Sequence, residues 1–249
     1  MTGLLASVVS VAEADIALAG GADILDLKDP SKGALGALAP ATIAETVAHI
    51  AKRRVVSATA GDLPMEPEIV CDAVHQLAAL HVDIVKVGLF PGGDVRACIS
   101  ALREEVSRGV RLVAVIFADQ RPDFSLIPRL RDAGFAGVML DTAGKSSGGL
   151  RGHLPQESLR DFVEAATRSA LMTGLAGSLR LEDVAPLAML EPDYLGFRGA
   201  ICRDGRQSPL SFDRLRAVRI AIDRANDHQR AARTATAAAG AQRAAHSVA

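Results

Sequence analysis

Lysine is scarce in this chain, and most of its lysines fall where an amine could do chemistry. Of the 28 Lys and Arg residues only five are lysines, namely Lys28, Lys32, Lys52, Lys86 and Lys145. A neutral lysine amine attacks a carbonyl group to form a Schiff base, and a nearby cation or a desolvated pocket lowers the pKa of such an amine. Clustered lysines therefore point to Schiff-base chemistry, with a second lysine available to move protons.

Carboxylates accompany these lysines at short spacings. Asp26 and Lys28 are two residues apart in the stretch ILDLKD, so both side chains lie on one face if the stretch is a strand. Asp141 and Lys145 are four residues apart in the stretch LDTAGK. Such carboxylates can act as acids or bases, and structural ion pairing is the alternative interpretation of each pair.

The elements that would position these residues alternate along the chain. Short apolar runs, typical of strands buried on both faces, occur at 4–9, 23–27, 54–58, 83–87, 112–117, 137–140, 169–174 and 193–196. Amphipathic segments of helical length lie at 12–19, 40–51, 67–79, 95–107, 125–132, 157–168, 180–188 and 208–225. Ser208 is the predicted N-cap of the last helix, with Pro209 at its first position. This alternation predicts an α/β fold, a single (β/α)8 TIM barrel over residues 1–226.

A doubly wound open sheet is the alternative fold. It would usually carry a glycine-rich phosphate loop after the first strand, and no G-x-G-x-x-G follows the stretch LLASVVS. The alanine- and arginine-rich segment 227–249 has few large apolar residues. We expect this tail to be disordered, or else to form a frayed extension of the last helix, and we assign it no function.

In a barrel the functional side chains gather at the carboxyl ends of the strands. Lys28 and Lys86 end the second and fourth predicted strands, and Lys32 and Lys145 follow in loops. Four of the five lysines therefore fall on this rim, whereas Lys52 lies at a helix end as an ordinary solvated cation.

Two loops of small residues predict a phosphate site on the same rim. The stretch GLAGS contains Gly174, Gly177 and Ser178, and the stretch GFRGA contains Arg198 and Gly199. Small residues let backbone N–H groups approach phosphate oxygens, and a helix N-terminus adds a favourable dipole. Arg198 is expected either to bind the phosphate or to pair with a neighbouring acid.

Composition argues against several other classes of protein. A net charge of −1 gives no electrostatic footprint for nucleic acid or an anionic membrane, and no long apolar run predicts a membrane span. The cysteines, Cys71, Cys98 and Cys202, favour a reducing cytoplasm over a disulfide framework. The histidines show no metal-ligand spacing, and we expect neither a metal nor a cofactor. The oligomeric state stays open, with a homo-oligomer as one outcome.

Six stretches in this order carry a family resemblance: GGADILDLKDPSKGALGA, VSATAGDLP, DIVKVGLF, GVMLDTAGK, LAGSL and YLGFRGAIC. They resemble the (5-formylfuran-3-yl)methyl phosphate synthases, also called 4-(hydroxymethyl)-2-furancarboxaldehyde phosphate synthases, of methanofuran biosynthesis. The resemblance implies a TIM-barrel lyase, of the carbon–oxygen type acting on phosphates. It would join two molecules of glyceraldehyde 3-phosphate into a phosphorylated furan aldehyde, with loss of phosphate and water.

The resemblance also implies roles for individual residues. Lys28 would form the Schiff base and Lys86 would be the proton acceptor, a ranking that spacing alone does not provide. Asp26, Asp141 and Lys145 would belong to the active site. Two phosphates enter such a reaction, so a second anion site is expected, with Lys145, Lys32 or Arg198 as its candidate ligands.

Methanofuran-type cofactors also serve formaldehyde oxidation in some methylotrophic bacteria, so the resemblance extends to one-carbon metabolism. Two alternatives stay open. A class I aldolase or a triose-phosphate isomerase-like enzyme would share the fold and the lysine chemistry but form no furan. A non-catalytic phosphate-metabolite sensor would need the phosphate loops without the lysines. The loop DPSKGALGA is a candidate mobile lid.

Overall fold

The structure is a computed structural model, and it describes residues 1–144 and 148–246, with side chains described as far as residue 235. Its parallel strands close into a barrel in chain order: β1 (Gly3–Val8), β2 (Ile24–Leu27), β3 (Val55–Thr59), β4 (Ile84–Gly88), β5 (Leu112–Phe117), β6 (Gly137–Asp141), β7 (Met172–Leu175) and β8 (Tyr194–Phe197). β8 pairs with β1, so the sheet has no free edge. The predicted TIM barrel is confirmed, and the open-sheet alternative is wrong.

Helices follow the strands and cover the outside of the barrel. They are α1 (Val11–Gly20), α2 (Pro40–Ile50), α3 (Pro67–Ala78), α4 (Val95–Ala101), α5 (Arg103–Ser107), α6 (Ile127–Asp132), α7 (Leu150–His153), α8 (Gln156–Arg168), α9 (Val184–Ala188) and α10 (Phe212–His246). In the part of the chain that the structure describes, none of them combines the length and the apolarity needed to cross a membrane.

Strand alternation divides the apolar residues into two cores. The larger core joins outward-facing strand residues such as Leu25 and Val87 to the helices. The smaller core lies inside the barrel and includes Leu5, Ile84 and Tyr194. Successive residues of a strand point to opposite faces, so every second residue of a strand lies on the inner face of the barrel. The polar side chains of the site alternate in the same way.

Two predicted boundaries are corrected by local backbone geometry. The run 169–174 starts as a strand only at Met172, because the Ser169 N–H donates to carbonyl groups at the end of α8 and Ala170 turns the chain with φ of 54°. The helix predicted over 95–107 is two short helices, α4 and α5, that meet at Leu102.

The last helix starts later than predicted. Ser208 is not its N-cap, because the Ser208 hydroxyl accepts from the Asp204 N–H at 2.7 Å inside a compact loop. α10 begins at Phe212, where the Ser211 hydroxyl accepts from the Arg214 N–H at 3.4 Å. The helix continues to His246. Of the two expectations for the tail, the structure therefore shows the extended last helix. The boundary between barrel and tail at residue 226 stays a prediction.

Gly174 makes room for a buried ring inside the barrel. It lies in β7 opposite Tyr194 of β8, and a Cβ at residue 174 would fall 2.4 Å from that ring. We expect Gly174→Ala to lower the free energy of unfolding by about 1–3 kcal/mol, because overpacking forces buried side chains out of their rotamers. Urea denaturation followed by circular dichroism measures the change. Gly152→Ala is the control, since its Cβ would meet no atom within 4 Å. Equal losses in both variants would contradict the expectation.

Candidate active site

Two lysines and two aspartates meet inside the barrel near the carboxyl ends of its strands. Lys86 Nζ lies 3.0 Å from Asp26 Oδ2, and Lys28 Nζ lies 3.5 Å from Asp141 Oδ2. All four residues are at most 7% exposed. The structure thus brings together four of the five residues that were predicted to form the catalytic group, and the fifth, Lys145, lies outside the described residues.

Strand parity places these groups on the inner face. Asp26 lies in β2, and Lys28 follows two positions later, where its N–H donates to the Val8 carbonyl at 3.2 Å and extends the ladder past the end of the strand. Lys86 lies in β4 opposite Thr59 of β3. The alternate residues of these strands pack outward against helices, which leaves the inner face for polar side chains.

Two serine hydroxyls that the sequence analysis did not single out hold Asp26. Ser57 Oγ donates to Asp26 Oδ1 at 2.6 Å, and Ser7 Oγ donates to Oδ2 at 3.3 Å. The register places these serines beside Asp26 on the two neighbouring strands, and a serine inside an otherwise apolar run was the available signal. Burial acts to raise the pKa of Asp26, but Lys86, Lys28 and the Ser57 hydroxyl outweigh it, so the pKa lies below its usual value. Asp26 is therefore a fixed carboxylate at neutral pH.

Lys86 is buried in a way that favours its neutral form. Burial is the largest influence and lowers the pKa of the Lys86 amine. The adjacent Asp26 carboxylate acts to raise that pKa, and the nearby Lys28 amine acts to lower it, so the net direction is downward. An amine of this kind can accept a proton at a lower pH than an exposed lysine can.

A cavity of about 370 Å³ opens above these groups. Both lysines and both aspartates line it, together with residues of the loops after β7 and β8. Of the predicted phosphate ligands, Gly177, Ser178, Arg198 and Gly199 line the cavity. Gly174 does not, because it lies within β7 and faces the Tyr194 ring.

Backbone N–H groups are available on this wall of the cavity. Gly177 has φ of 111°, where a Cβ would also fall 2.9 Å from Thr142, and Ser178 has φ of 49°. Within residues 1–144 and 148–246, the N–H groups of Gly177, Ser178 and Gly199 donate to no protein acceptor. Donors of this kind, close together and backed by small residues, can bind an anion.

Arg198 pairs with an acid, which is the second of its two predicted alternatives. Its Nη1 lies 2.5 Å from Glu13 Oε2 and its Nη2 lies 3.2 Å from Glu13 Oε1. The guanidinium also donates to the backbone carbonyls of Ser7, Arg206 and Ser208 at 2.8–3.1 Å. Arg198 therefore ties β1, α1 and the loop after β8 together, with its donors already engaged.

Two further rim aspartates brace loops. Asp62 accepts from the N–H groups of residues 34–35 at 2.8 and 2.6 Å, which shapes the loop after β2. Asp119 accepts from the N–H groups of residues 143–144 at 2.8 and 2.7 Å, which shapes the loop after β6. Neither aspartate lines the cavity, so their contribution is to hold the loops that carry the site.

Arg206 lines the cavity as well, although no motif marked it in the sequence. It lies in the loop after β8, and its Nη2 donates to the Gly33 carbonyl in the loop after β2 at 3.1 Å. Lys32, a predicted anion ligand, instead pairs with Asp29 at 3.2 Å and does not line the cavity. Only the fold reveals which loop cation faces the site.

Comparisons with known proteins agree with this geometry. A solved structure with a similar fold is the 3-hexulose-6-phosphate synthase from Salmonella typhimurium, with a TM-score of 0.66 and 16% identity over 90% of this chain and 100% of that chain. At that identity the likeness shows the fold alone.

Closer relatives carry one name. A (5-formylfuran-3-yl)methyl phosphate synthase of Methanopyrus kandleri is 39% identical over 214 residues, 81% of this chain and 90% of the relative. The synthase of the same name from Methanococcus aeolicus is 37% identical over 213 residues, 81% of this chain and 91% of the relative. The family model described as 4-HFC-P synthase matches residues 4–219. This chain is therefore an enzyme that belongs to the 4-HFC-P synthase family.

Proposed function

We propose that this enzyme makes (5-formylfuran-3-yl)methyl phosphate from two molecules of glyceraldehyde 3-phosphate, as a carbon–oxygen lyase acting on phosphates. The atoms balance with loss of one phosphate and two waters. The observation that carries the proposal is that two buried lysines, each with its own aspartate, share the wall of one small-molecule cavity. The name of the relatives supports the product, and a methanofuran-type cofactor in one-carbon metabolism is its proposed use.

Lys28 is the proposed Schiff-base residue. Its amine adds to the aldehyde carbon of one triose phosphate, and water leaves to give an iminium ion. Asp141, 3.5 Å from the amine, is placed to relay the protons of this step. The iminium draws electrons from the neighbouring carbon, which loses a proton and becomes an enamine. The enamine expels the phosphate group from the terminal carbon of this triose, and the enol that remains attacks through that carbon the carbonyl carbon of the second triose, which has isomerised to its ketone. Ring closure onto the first triose, loss of two waters and hydrolysis of the iminium then release the furan aldehyde and the Lys28 amine.

Lys86 is the proposed acceptor of the proton that forms the enamine. Its lowered pKa increases the neutral fraction that can take up a proton, and Asp26 stabilises the ammonium that results. The same proton can be returned to a departing hydroxyl group when water is lost. Lys86 is more deeply buried than Lys28, which supports giving the covalent role to Lys28 and the proton-transfer role to Lys86.

One substrate phosphate is proposed to bind at the loops after β7 and β8. The N–H groups of Gly177, Ser178 and Gly199 supply the donors. Arg198 supports them indirectly through its ion pair with Glu13. Lys145 is proposed to belong to the site because it lies four residues after Asp141 in the stretch LDTAGK.

A cytoplasmic location and a small-molecule substrate complete the proposal. Cys71, Cys98 and Cys202 are free thiols, which is common in a reducing compartment. A homo-oligomer and closure of the loop DPSKGALGA as a lid both stay predictions.

The wild-type enzyme tests the proposal directly. Incubation with glyceraldehyde 3-phosphate should yield a furan aldehyde, detected by its absorbance and mass, and borohydride should trap an adduct that peptide mapping places on Lys28. An adduct without furan would favour the class I aldolase alternative. Neither adduct nor furan would overturn the proposal and favour the sensor alternative.

A further inference from the structure

Among the described residues, Arg206 is a cationic side chain of the cavity wall that has no carboxylate within ion-pair distance. Within residues 1–144 and 148–246, five cationic side chains line the cavity, and four of them have a carboxylate within 4 Å. These pairs are Lys28–Asp141, Lys86–Asp26, Arg180–Glu182 and Arg198–Glu13. The fifth, Arg206, has no such partner in the part of the chain that the structure describes. Its guanidinium donates a hydrogen bond to the Gly33 carbonyl at 3.1 Å.

Arg206 is also partly removed from water. Burial, the largest influence, lowers the pKa of Arg206, while the Asp141 carboxylate acts to raise it. Arginine keeps its charge at neutral pH because its ordinary pKa lies above about 12. A charged, partly desolvated guanidinium without a carboxylate gains most from an anion that enters the cavity, and a phosphate group matches its planar set of donors.

We propose that Arg206 binds the phosphate group of a substrate triose and so forms the second anion site of the cavity. This inference rests on the proposed function, which brings two phosphorylated trioses into the cavity. It assigns to Arg206 the role for which the sequence had offered Lys32, Lys145 or Arg198.

The loop that carries Arg206 is held in place before any substrate binds. Cys202 and Leu210 form a β-bridge that closes the loop, and the Arg203 N–H donates to the Pro209 carbonyl at 3.0 Å. Arg198 Nε donates to the carbonyl of Arg206 itself at 2.8 Å. Arg198 is therefore a positioning residue for Arg206. Because the loop is already ordered, little conformational entropy is lost when an anion binds.

The side chain of Arg206 lines the cavity and connects the loop after β8 with the loop after β2. Its Cβ lies 3.9 Å from the place where a Cβ on Gly199 would be, next to the proposed phosphate-binding N–H groups. Its guanidinium reaches Gly33 in the loop after β2, the strand that leads to Lys28. A phosphate bound by Arg206 would therefore lie between these two loops.

Arg206→Gln tests the proposal, because glutamine removes the charge but keeps an N–H donor for the Gly33 carbonyl. We expect the dissociation constant for inorganic phosphate, measured by isothermal titration calorimetry on the full chain, to rise about tenfold to a hundredfold. The KM for glyceraldehyde 3-phosphate should rise by a similar factor. Borohydride trapping of unphosphorylated glyceraldehyde on Lys28 should stay at the wild-type level.

Arg203→Gln is the matched control, since Arg203 is an exposed arginine of the same loop that does not line the cavity. It should bind phosphate like the wild-type chain. Wild-type phosphate affinity in Arg206→Gln would overturn the proposal, and so would an equal loss of glyceraldehyde trapping, which would assign Arg206 a purely structural role. The calorimetry does not depend on turnover. A phosphate effect without furan formation in the wild-type chain would therefore count against the synthase and in favour of the Arg206 site.

Discussion

Replacing Lys28 with glutamine should abolish furan formation, with a fall in rate of roughly 10⁴-fold or more. Without the amine no iminium forms, and the step that joins the two trioses loses its electron sink. Glutamine still offers an N–H donor to Asp141, so the buried carboxylate keeps a partner and the fold should persist. Furan absorbance measures the rate, and borohydride trapping with peptide mapping should find no adduct at residue 28.

Lys32→Gln provides the control from the same loop. The Lys32 side chain is 59% exposed and pairs with Asp29 on the surface, so its loss should leave both furan formation and the trapped adduct unchanged. Wild-type turnover in Lys28→Gln would remove the Schiff base from the mechanism. A trapped adduct that moved to Lys86 would keep the chemistry and exchange the roles of the two lysines.

The barrel could be predicted because its signal is local and repeated. Continuous apolar runs such as 112–117 are typical of strands covered on both sides, and helical segments recur between them. The period of two then placed Asp26 and Lys28 on one face of β2. Both inferences need nothing beyond neighbouring residues.

The partners within the site could not be predicted in the same way. The sequence suggested Asp26 as the partner of Lys28, because both lie on one face of the strand two residues apart. In the structure Asp26 contacts Lys86, and Lys28 contacts Asp141, which is 113 residues away in the chain. Strand parity specifies the face, whereas register across the closed barrel specifies the partner.

The contacts of the loop arginines, Arg198 and Arg206, could not be predicted from the sequence either. Arg198 lies in a glycine-bearing stretch that looks suited to phosphate, but Glu13, 185 residues earlier, takes its guanidinium. Arg206 follows no motif, and the loop from Cys202 to Leu210 directs it into the cavity. Spacing identifies the loop that holds a cation, and the direction of the side chain depends on acids that only the fold brings near.

Lys86→Gln should slow furan formation by about 10²- to 10⁴-fold while leaving a trappable adduct on Lys28. The Schiff base can still form, but the proton that must leave the neighbouring carbon has no acceptor. The change also leaves the Asp26 carboxylate buried with less compensation, so we expect the free energy of unfolding to fall by about 3–5 kcal/mol. Circular dichroism at the assay temperature checks that the variant is folded. Lys52→Gln, an exposed lysine paired with Asp83, is the control and should keep the wild-type rate.

The pH dependence of kcat/KM separates a proton acceptor from a merely structural lysine. Lys86 accepts a proton only when it is neutral, so the wild-type rate should rise with pH, along a limb centred below the ordinary lysine value of 10.5 because burial lowers the pKa of Lys86. The Asp26 carboxylate acts to raise that pKa, so Asp26→Asn should move the limb to lower pH. Lys86→Gln should remove the limb from whatever activity remains. A limb that persists in Lys86→Gln, or that moves to higher pH in Asp26→Asn, would assign the proton transfer to another group, and Lys86 would then serve only as the counter-ion that keeps Asp26 charged inside the barrel.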